Sequence, residues 1–107
     1  MTDKVSILVP AFNAELWVAK AIQSGLNQDW PDIEVIVVDD GSKDKTFERA
    51  SSIKSARVKL VSQDNRGAAA ARNHALSLSQ GDYIQWLDAD DLLAPNKVSL
   101  QMRKAIE

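Results

Sequence analysis

Three aspartates lie within four consecutive residues at the end of an apolar run. The run, residues 83–87, is rich in strand-forming side chains, and Asp88, Asp90 and Asp91 follow it directly. In extended backbone, residues two apart point to the same side, so we expect Asp88 and Asp90 to face one ligand together. Paired carboxylate oxygens suit Mg²⁺ or Mn²⁺. The alternative interpretation is an acidic turn whose side chains cap the following helix.

The composition is that of an ordinary globular protein. The chain has 107 residues, of which 45% are hydrophobic and 26% are charged, as expected for one domain with a genuine core. The net charge of −2 and the scattered basic residues give no electrostatic footprint for nucleic acid. No cysteine is present, which excludes disulfides and thiolate metal sites. The first residues match neither a signal peptide nor a membrane span, so we expect a cytoplasmic protein.

Apolar runs predict four strands, with helices between and after them. The strands lie near residues 5–10, 33–38, 58–61 and 82–87, and the first closes on Pro10. Asn13 is expected to cap the first helix, and Asp44 or Ser42 the second. High alanine content predicts the third helix over Ala68 to Leu78, and the fourth begins near Asn96. We expect the three tryptophans in the core or at its edge; they are Trp17, Trp30 and Trp86.

This alternation predicts an α/β fold. The order β-α-β-α-β-α-β-α with short connections indicates a three-layer α/β/α domain with a mainly parallel sheet over residues 1–107. Ligands of open α/β sheets bind outside the carboxyl ends of the strands. Polar residues gather at three of those ends, in residues 10–13, 39–42 and 88–91. Neither G-x-G-x-x-G nor the P-loop motif occurs, which excludes a standard dehydrogenase or P-loop NTPase.

Four motifs in order resemble those of family 2 glycosyltransferases of the GT-A fold. They are Ser6-Ile7-Leu8-Val9-Pro10-Ala11-Phe12-Asn13, Val37-Val38-Asp39-Asp40-Gly41-Ser42-x-Asp44-x-Thr46, Asn65-x-Gly67-x-x-x-Ala71-Arg72-Asn73 and Gly81-Asp82-Tyr83-Ile84-x-x-Leu87-Asp88-Ala89-Asp90-Asp91. They cover nearly the whole chain. The resemblance implies a Rossmann-like GT-A fold and an inverting, metal-dependent transfer of a sugar from a nucleoside diphosphate donor, with a UDP-sugar favoured. The acceptor would be a saccharide or a lipid-linked molecule.

The resemblance also assigns a base-binding role to the first two strand ends. Pro10, Ala11 and Phe12 would line the base site, with Phe12 in place of the usual tyrosine. Asp40 would accept a hydrogen bond from a uracil-type N–H. An aromatic face and one acceptor suffice to orient a pyrimidine. For Asp40 the alternative is a turn-forming aspartate before Gly41.

By the same resemblance, Asp88-Ala89-Asp90 looks like the D-x-D motif. Asp90 would bind Mn²⁺ or Mg²⁺, and Asp88 would lie nearer the ribose and the waters of the metal. The metal would neutralise charge on the departing nucleoside diphosphate. For Asp91 we favour a helix cap over a sugar contact. Arg72 would donate to phosphate or to a site aspartate, unless it lies on a solvated face or in a salt bridge.

Two further residues receive weaker expectations. Arg66 has a role similar to that of Arg72 but less strongly indicated. His74 is the only histidine; we expect it to face solvent or to pack, and we assign it no role.

Complete family members carry a second half that holds the acceptor site and the catalytic base. No acidic residue here matches that base, so we expect the donor-binding half, with the catalytic residue unknown and little transfer by this chain alone. Apolar surface should then be exposed along one sheet edge, and homo-oligomerisation through that edge is a hypothesis. A peripheral position at the membrane face is expected only for the full-length protein.

A non-catalytic α/β module for nucleotide binding or protein interaction remains the rival hypothesis. A haloacid-dehalogenase-like phosphatase places its D-x-D motif after the first strand, and a sugar nucleotidyltransferase carries a glycine-rich loop there. The chain has neither feature. Metal-dependent nucleotide binding separates the rival from the leading hypothesis.

Overall fold

The computed structural model describes residues 3–106, and it confirms the predicted α/β class. Four strands form one parallel sheet in the order β3-β2-β1-β4; they are β1 (Val5–Ala11), β2 (Ile33–Asp39), β3 (Val58–Ser62) and β4 (Tyr83–Trp86). The helices that alternate with them are α1 (Val18–Leu26), α2 (Thr46–Ser51), α3 (Ala68–Leu78) and α4 (Lys97–Ile106).

Successive residues of the central strands face opposite helix layers. Ile7 and Val9 of β1 belong to the larger core, which includes side chains of α1, α2 and α4. Leu8 of β1 packs in a second core with Ala71 and Ala75 of α3. This alternation follows from the two-residue period of a strand. Because both faces are covered, the central strands are almost continuously apolar, as in other parallel sheets, and the three-layer prediction is confirmed.

The first strand and the first helix differ from the sequence prediction. β1 does not end at Pro10, because Ala11 pairs with Asp39 and its carbonyl accepts the N–H of Asp40 over 2.9 Å. Asn13 does not cap α1, which begins only at Val18. Asn13 adopts a left-handed conformation with φ +48°, which asparagine tolerates better than most residues. Its side chain is bound to the loop after β2, so it serves that loop and not the helix.

The predictions for the second, third and fourth helices agree with the structure more closely than those for the first. Asp44 accepts the N–H of Thr46, the first residue of α2, over 3.0 Å, whereas the Ser42 hydroxyl accepts the N–H of Asn13. The predicted bounds of α3 are confirmed at both ends, and α4 begins one residue after Asn96. Within residues 3–106 no helix combines the length and apolarity needed to span a membrane.

The tryptophan prediction is only partly right. Trp30 packs against the larger core, but Trp17 and Trp86 are 48% and 42% exposed. Trp17 precedes α1 in a turn, and Trp86 lies on β4, an edge strand. Tyr83 and Ile84 of β4 are exposed as well. The expected apolar edge is therefore present, while homo-oligomerisation through it stays a hypothesis.

Candidate functional site

A cavity of about 340 Å³ opens where β1 and β2 end and α3 begins. Its volume is within the range of small-molecule sites. The residues that line it are Pro10, Ala11, Phe12, Asp40, Asn65, Gly67, Ala68, Ala71, Arg72 and Asp88. All six residues that the sequence suggested for nucleotide binding are among them. The fold thus brings residues 10–12, 40, 72 and 88 to one place, because parallel strands end at the same side of a sheet.

Asp40 is the buried carboxylate of this cavity, with only 4% of its surface exposed. Oδ1 accepts the side-chain amide of Gln63 and the N–H of Arg66, each over 2.8 Å. Oδ2 accepts the N–H of Gly67 over 3.0 Å. An ionised carboxylate offers about four lone-pair positions. Three are occupied within residues 3–106, so one position on Oδ2 has no partner among these residues.

The protonation state of Asp40 follows from these contacts. Burial raises the pKa of Asp40, but hydrogen bonds from the Arg66 backbone, the Gln63 amide and the Gly67 backbone outweigh it, and the net pKa lies below its ordinary value. Asp40 is therefore ionised at neutral pH and only accepts hydrogen bonds. A ligand atom that meets it must carry a hydrogen.

The loop of residues 63–67 forms one wall of the cavity and lies close to the end of β2. Asn65 donates from its side-chain amide to the carbonyl of Asp40 over 3.1 Å. Gly41 has φ +69°, and a Cβ at this position would lie 2.7 Å from the backbone nitrogen of Asn65. Any other residue at position 41 would push the loop away, so the wall depends on this glycine.

Asp88 and Asp90 meet at a second, smaller cavity beside the first. Both line a space of about 220 Å³ together with Phe12 and Trp17. Both carboxylates are exposed, whereas Leu87 and Ala89 are buried. Because β4 ends at Trp86, this motif lies in a turn, in which the N–H of Asp91 donates to the carbonyl of Asp88 over 3.0 Å. Asp88 and Asp90 therefore face one cavity as expected, but a turn brings them there and not the extended backbone from which the prediction was made. Asp88 lines both cavities and so joins them.

The carboxylates fit a metal that arrives with its ligand better than a preformed metal cage. Within residues 3–106 no three acidic or histidine side chains group closely enough to hold an ion by themselves. Mg²⁺ commonly binds through one or two carboxylates and completes its shell with water and substrate phosphates. Asp88 and Asp90 match that pattern. Asp91 accepts the N–H of Leu92 over 2.8 Å. The expectation that Asp91 caps the following helix is wrong, because α4 begins only at Lys97.

The loops after β1 and β2 are joined by hydrogen bonds that fix the shape of the smaller cavity. Thr46 Oγ1 accepts the N–H of Ala14 over 2.7 Å, and Asp44 accepts the N–H of Glu15 over 3.3 Å. Asn13 accepts the N–H of Lys43 over 2.9 Å. Burial raises the pKa of Asp44, but the Thr46 hydroxyl and the backbone N–H groups lower it overall. These contacts place residues 12–14 beside the carboxylates.

Arg72 and Arg66 occupy different positions relative to the cavity. Arg72 is exposed, lines the cavity, and takes part in no ion pair within residues 3–106. Its guanidinium is thus free to meet an anion. The Arg66 side chain does not line the cavity; only its backbone N–H reaches Asp40. The weaker expectation for Arg66 as a side-chain donor finds no contact in the structure.

Gln63 and His74 lie near Asp40 but belong to no sequence motif from which a role could be predicted. Gln63 donates to Asp40, and its Oε1 lies 2.8 Å from Nδ1 of His74. The ring of His74 is therefore held by a hydrogen-bond contact, and it neither faces solvent freely nor packs in the core. The signal lies only in three-dimensional proximity, since Gln63 is 23 residues from Asp40 along the chain.

Comparison with known proteins agrees with this geometry. The sequence profile described as glycosyl transferase family 2 matches residues 6–107. An uncharacterized glycosyltransferase of Haemophilus influenzae is 46% identical over 101 residues, covering 92% of this chain and 40% of that protein. The chain therefore spans about two fifths of the length of that relative.

Two solved structures align with most of the chain. S. aureus TarS 1–349 in complex with UDP superposes with a TM-score of 0.81 at 32% identity, covering 95% of this chain and 31% of that one. The mannosyltransferase PcManGT from Pyrobaculum calidifontis, in complex with GDP-Man and Mn²⁺, gives a TM-score of 0.78 at 30% identity, covering 94% and 31%. The expected GT-A fold is confirmed by these alignments. With the profile match over nearly its full length, the chain belongs to glycosyl transferase family 2.

Proposed function

We propose that this chain binds the nucleoside diphosphate sugar donor of a metal-dependent, inverting glycosyltransferase, with a UDP-sugar as donor. One observation carries the proposal. A single cavity gathers an aromatic face, an ionised acceptor, an unpaired guanidinium and the first D-x-D carboxylate, supplied by Phe12, Asp40, Arg72 and Asp88. In the whole protein the sugar would pass to a saccharide or lipid-linked acceptor. We assign no catalytic base to this chain, so donor binding is the activity to test.

The base would lie between Phe12 and the loop wall. Phe12 is 47% exposed, which leaves its ring available to pack against a flat base. The free acceptor position on Oδ2 of Asp40 would take the N3–H of uracil. Cytosine has a lone pair at the same position, which would face the carboxylate unfavourably. The UDP complex of S. aureus TarS supports uridine as the base.

The diphosphate would lie where the two cavities join, at Asp88. Arg72 would bind phosphate oxygens, because its planar guanidinium can donate two parallel hydrogen bonds. Asp88 and Asp90 would hold Mn²⁺ or Mg²⁺ there. When bound, the metal stabilises the negative charge of the leaving nucleoside diphosphate. The Mn²⁺ complex of PcManGT supports a divalent ion for the family fold.

Calorimetric titration of the chain with UDP tests this proposal, first with Mn²⁺ and then with EDTA. We expect binding that requires the metal. Asp90→Asn should weaken binding in Mn²⁺ at least tenfold, because it removes a charged ligand. Asp91→Asn is the matched control. It is the adjacent carboxylate, it lies outside both cavities, and an asparagine can still accept the N–H of Leu92.

The contrary result is a folded chain that binds no UDP with or without metal. It would favour the rival hypothesis of an interaction module, for which the exposed apolar edge of β4 would be the surface to study. Equal loss of binding in Asp90→Asn and Asp91→Asn would indicate a general charge effect and contradict the assigned metal site.

A further inference from the structure

We propose that His74 is a positioning residue for base recognition. It fixes the carboxamide of Gln63, which in turn holds the carboxylate of Asp40 with one acceptor position directed to the base. The inference rests on the proposed function, because Asp40 is the group assigned there to the base. The inference adds the neighbouring residues that determine how strongly Asp40 discriminates between bases.

The three side chains form a continuous hydrogen-bonded series. Nδ1 of His74 lies 2.8 Å from Oε1 of Gln63, and Nε2 of Gln63 lies 2.8 Å from Oδ1 of Asp40. The three residues come from different parts of the fold, since His74 lies in α3, Gln63 follows β3, and Asp40 follows β2. The series therefore ties α3 to the sheet beside the cavity.

The protonation state of Asp40 determines which of the other atoms in the series donate a hydrogen bond and which accept one. Asp40 is ionised and only accepts, so the amide of Gln63 must turn its NH₂ group towards it. The carbonyl oxygen of Gln63 then faces His74 and also only accepts. Nδ1 of His74 must consequently carry a hydrogen. Of the two neutral tautomers of histidine, only the one protonated at Nδ1 satisfies both contacts.

Burial makes this arrangement matter. Asp40 is almost fully buried, whereas Gln63 and His74 are partly buried, so water competes least for the contacts of the Asp40 carboxylate. Without the hydrogen bond from His74, the Gln63 side chain gains freedom to leave Asp40. Oδ1 would then have an open lone pair and the carboxylate could rotate. After either change, Asp40 would no longer offer one defined acceptor position to the ligand. The choice of base depends on that position.

The test compares His74→Leu with His74→Asn in titrations with UDP and CDP in Mn²⁺. Leucine fills similar space without a donor, whereas the asparagine NH₂ group can replace the Nδ1–H group. We expect His74→Leu to bind UDP about three- to tenfold more weakly, the effect of one lost hydrogen bond, with CDP affinity unchanged. His74→Asn should restore UDP binding. Gln63→Ala should lose as much as His74→Leu, and the double variant no more.

Two results would overturn the inference. One is wild-type UDP affinity in His74→Leu. The other is a parallel loss of UDP and CDP affinity that His74→Asn does not restore, which would indicate a purely structural residue. Failure of the wild-type chain to bind UDP would instead contradict the proposed function, so the two failures are distinguishable.

A second measurement does not depend on how the variants fold. His74 is the only histidine of the chain, so ¹⁵N spectra of its ring nitrogens are unambiguous. At a pH where the ring is neutral, we expect the hydrogen on Nδ1. A neutral ring protonated at Nε2 would contradict the contact with Gln63, and with it the positioning role.

Discussion

The backbone N–H of Gly67 lies 3.0 Å from Oδ2 of Asp40, the same oxygen that keeps a free acceptor position beside the cavity. Gly67 is the residue directly before α3. One carboxylate therefore holds the wall of the cavity and is also the group proposed to meet the base. Structure and recognition at this site depend on the same group, so changes at Asp40 should affect both.

Replacing Asp40 with asparagine should destabilise the chain. Asparagine keeps one acceptor oxygen but turns an NH₂ group towards at least one of the three donors from residues 63, 66 and 67. A buried donor left without its acceptor costs about 1–3 kcal/mol. Urea denaturation should show that loss in the free energy of unfolding. Asp64→Asn, at an exposed loop position next to Gln63, is the control and should change little.

The contribution of Asp40 to stability should depend on pH in a defined direction. Hydrogen bonding leaves the pKa of folded Asp40 below its ordinary value, which is about 3.9 in an unfolded chain. Its contribution is then fully present above the unfolded pKa and is lost as the pH falls through the folded pKa. The gap in unfolding free energy between wild type and Asp40→Asn should be constant from pH 7 to 5 and narrow below about pH 4. A gap that widens in acid would contradict the low pKa.

Glycine substitutions should separate backbone strain from steric contact in the loop wall. Gly41 and Gly67 both have positive φ, +69° and +99°, so alanine is strained at either position. Only at Gly41 would the new Cβ meet backbone, 2.7 Å from the nitrogen of Asn65; at Gly67 nothing lies within 4 Å. Gly41→Ala should therefore lower the melting temperature more than Gly67→Ala. The reverse order would show that the loop does not pack on residue 41 as described.

Much of the fold could be predicted from local sequence, because it depends on local chemistry. The alanine-rich segment gave the bounds of α3, and the apolar runs located all four strands to within two residues. Asp88 and Asp90 were expected on one side from the period of extended backbone; they do line one cavity, but in a turn that follows β4. The family motifs then indicated which strand ends would meet.

The failures share a physical cause, which is the arrangement in space of residues that are distant in sequence. Asn13 has the local chemistry of a helix cap, but its side chain binds Lys43, 30 residues away. The contact between His74 and Gln63 joins two separate parts of the fold and gives no local signal in the sequence. Trp86 was expected in the core or at its edge, yet it lies on the edge strand β4 with 42% of its surface exposed. Strand order and side-chain partners are tertiary properties that no local pattern specifies.

The most direct test of the account is the ratio of UDP to CDP affinity, measured by calorimetry in Mn²⁺ on the wild-type chain. The two nucleotides share ribose and diphosphate and differ only in the pyrimidine, so the ratio isolates the contact with Asp40. We predict that UDP binds at least about tenfold more tightly, since an acceptor facing the ionised carboxylate costs more than about 1.4 kcal/mol. Equal affinity for UDP and CDP would contradict Asp40 as the group that recognises the base.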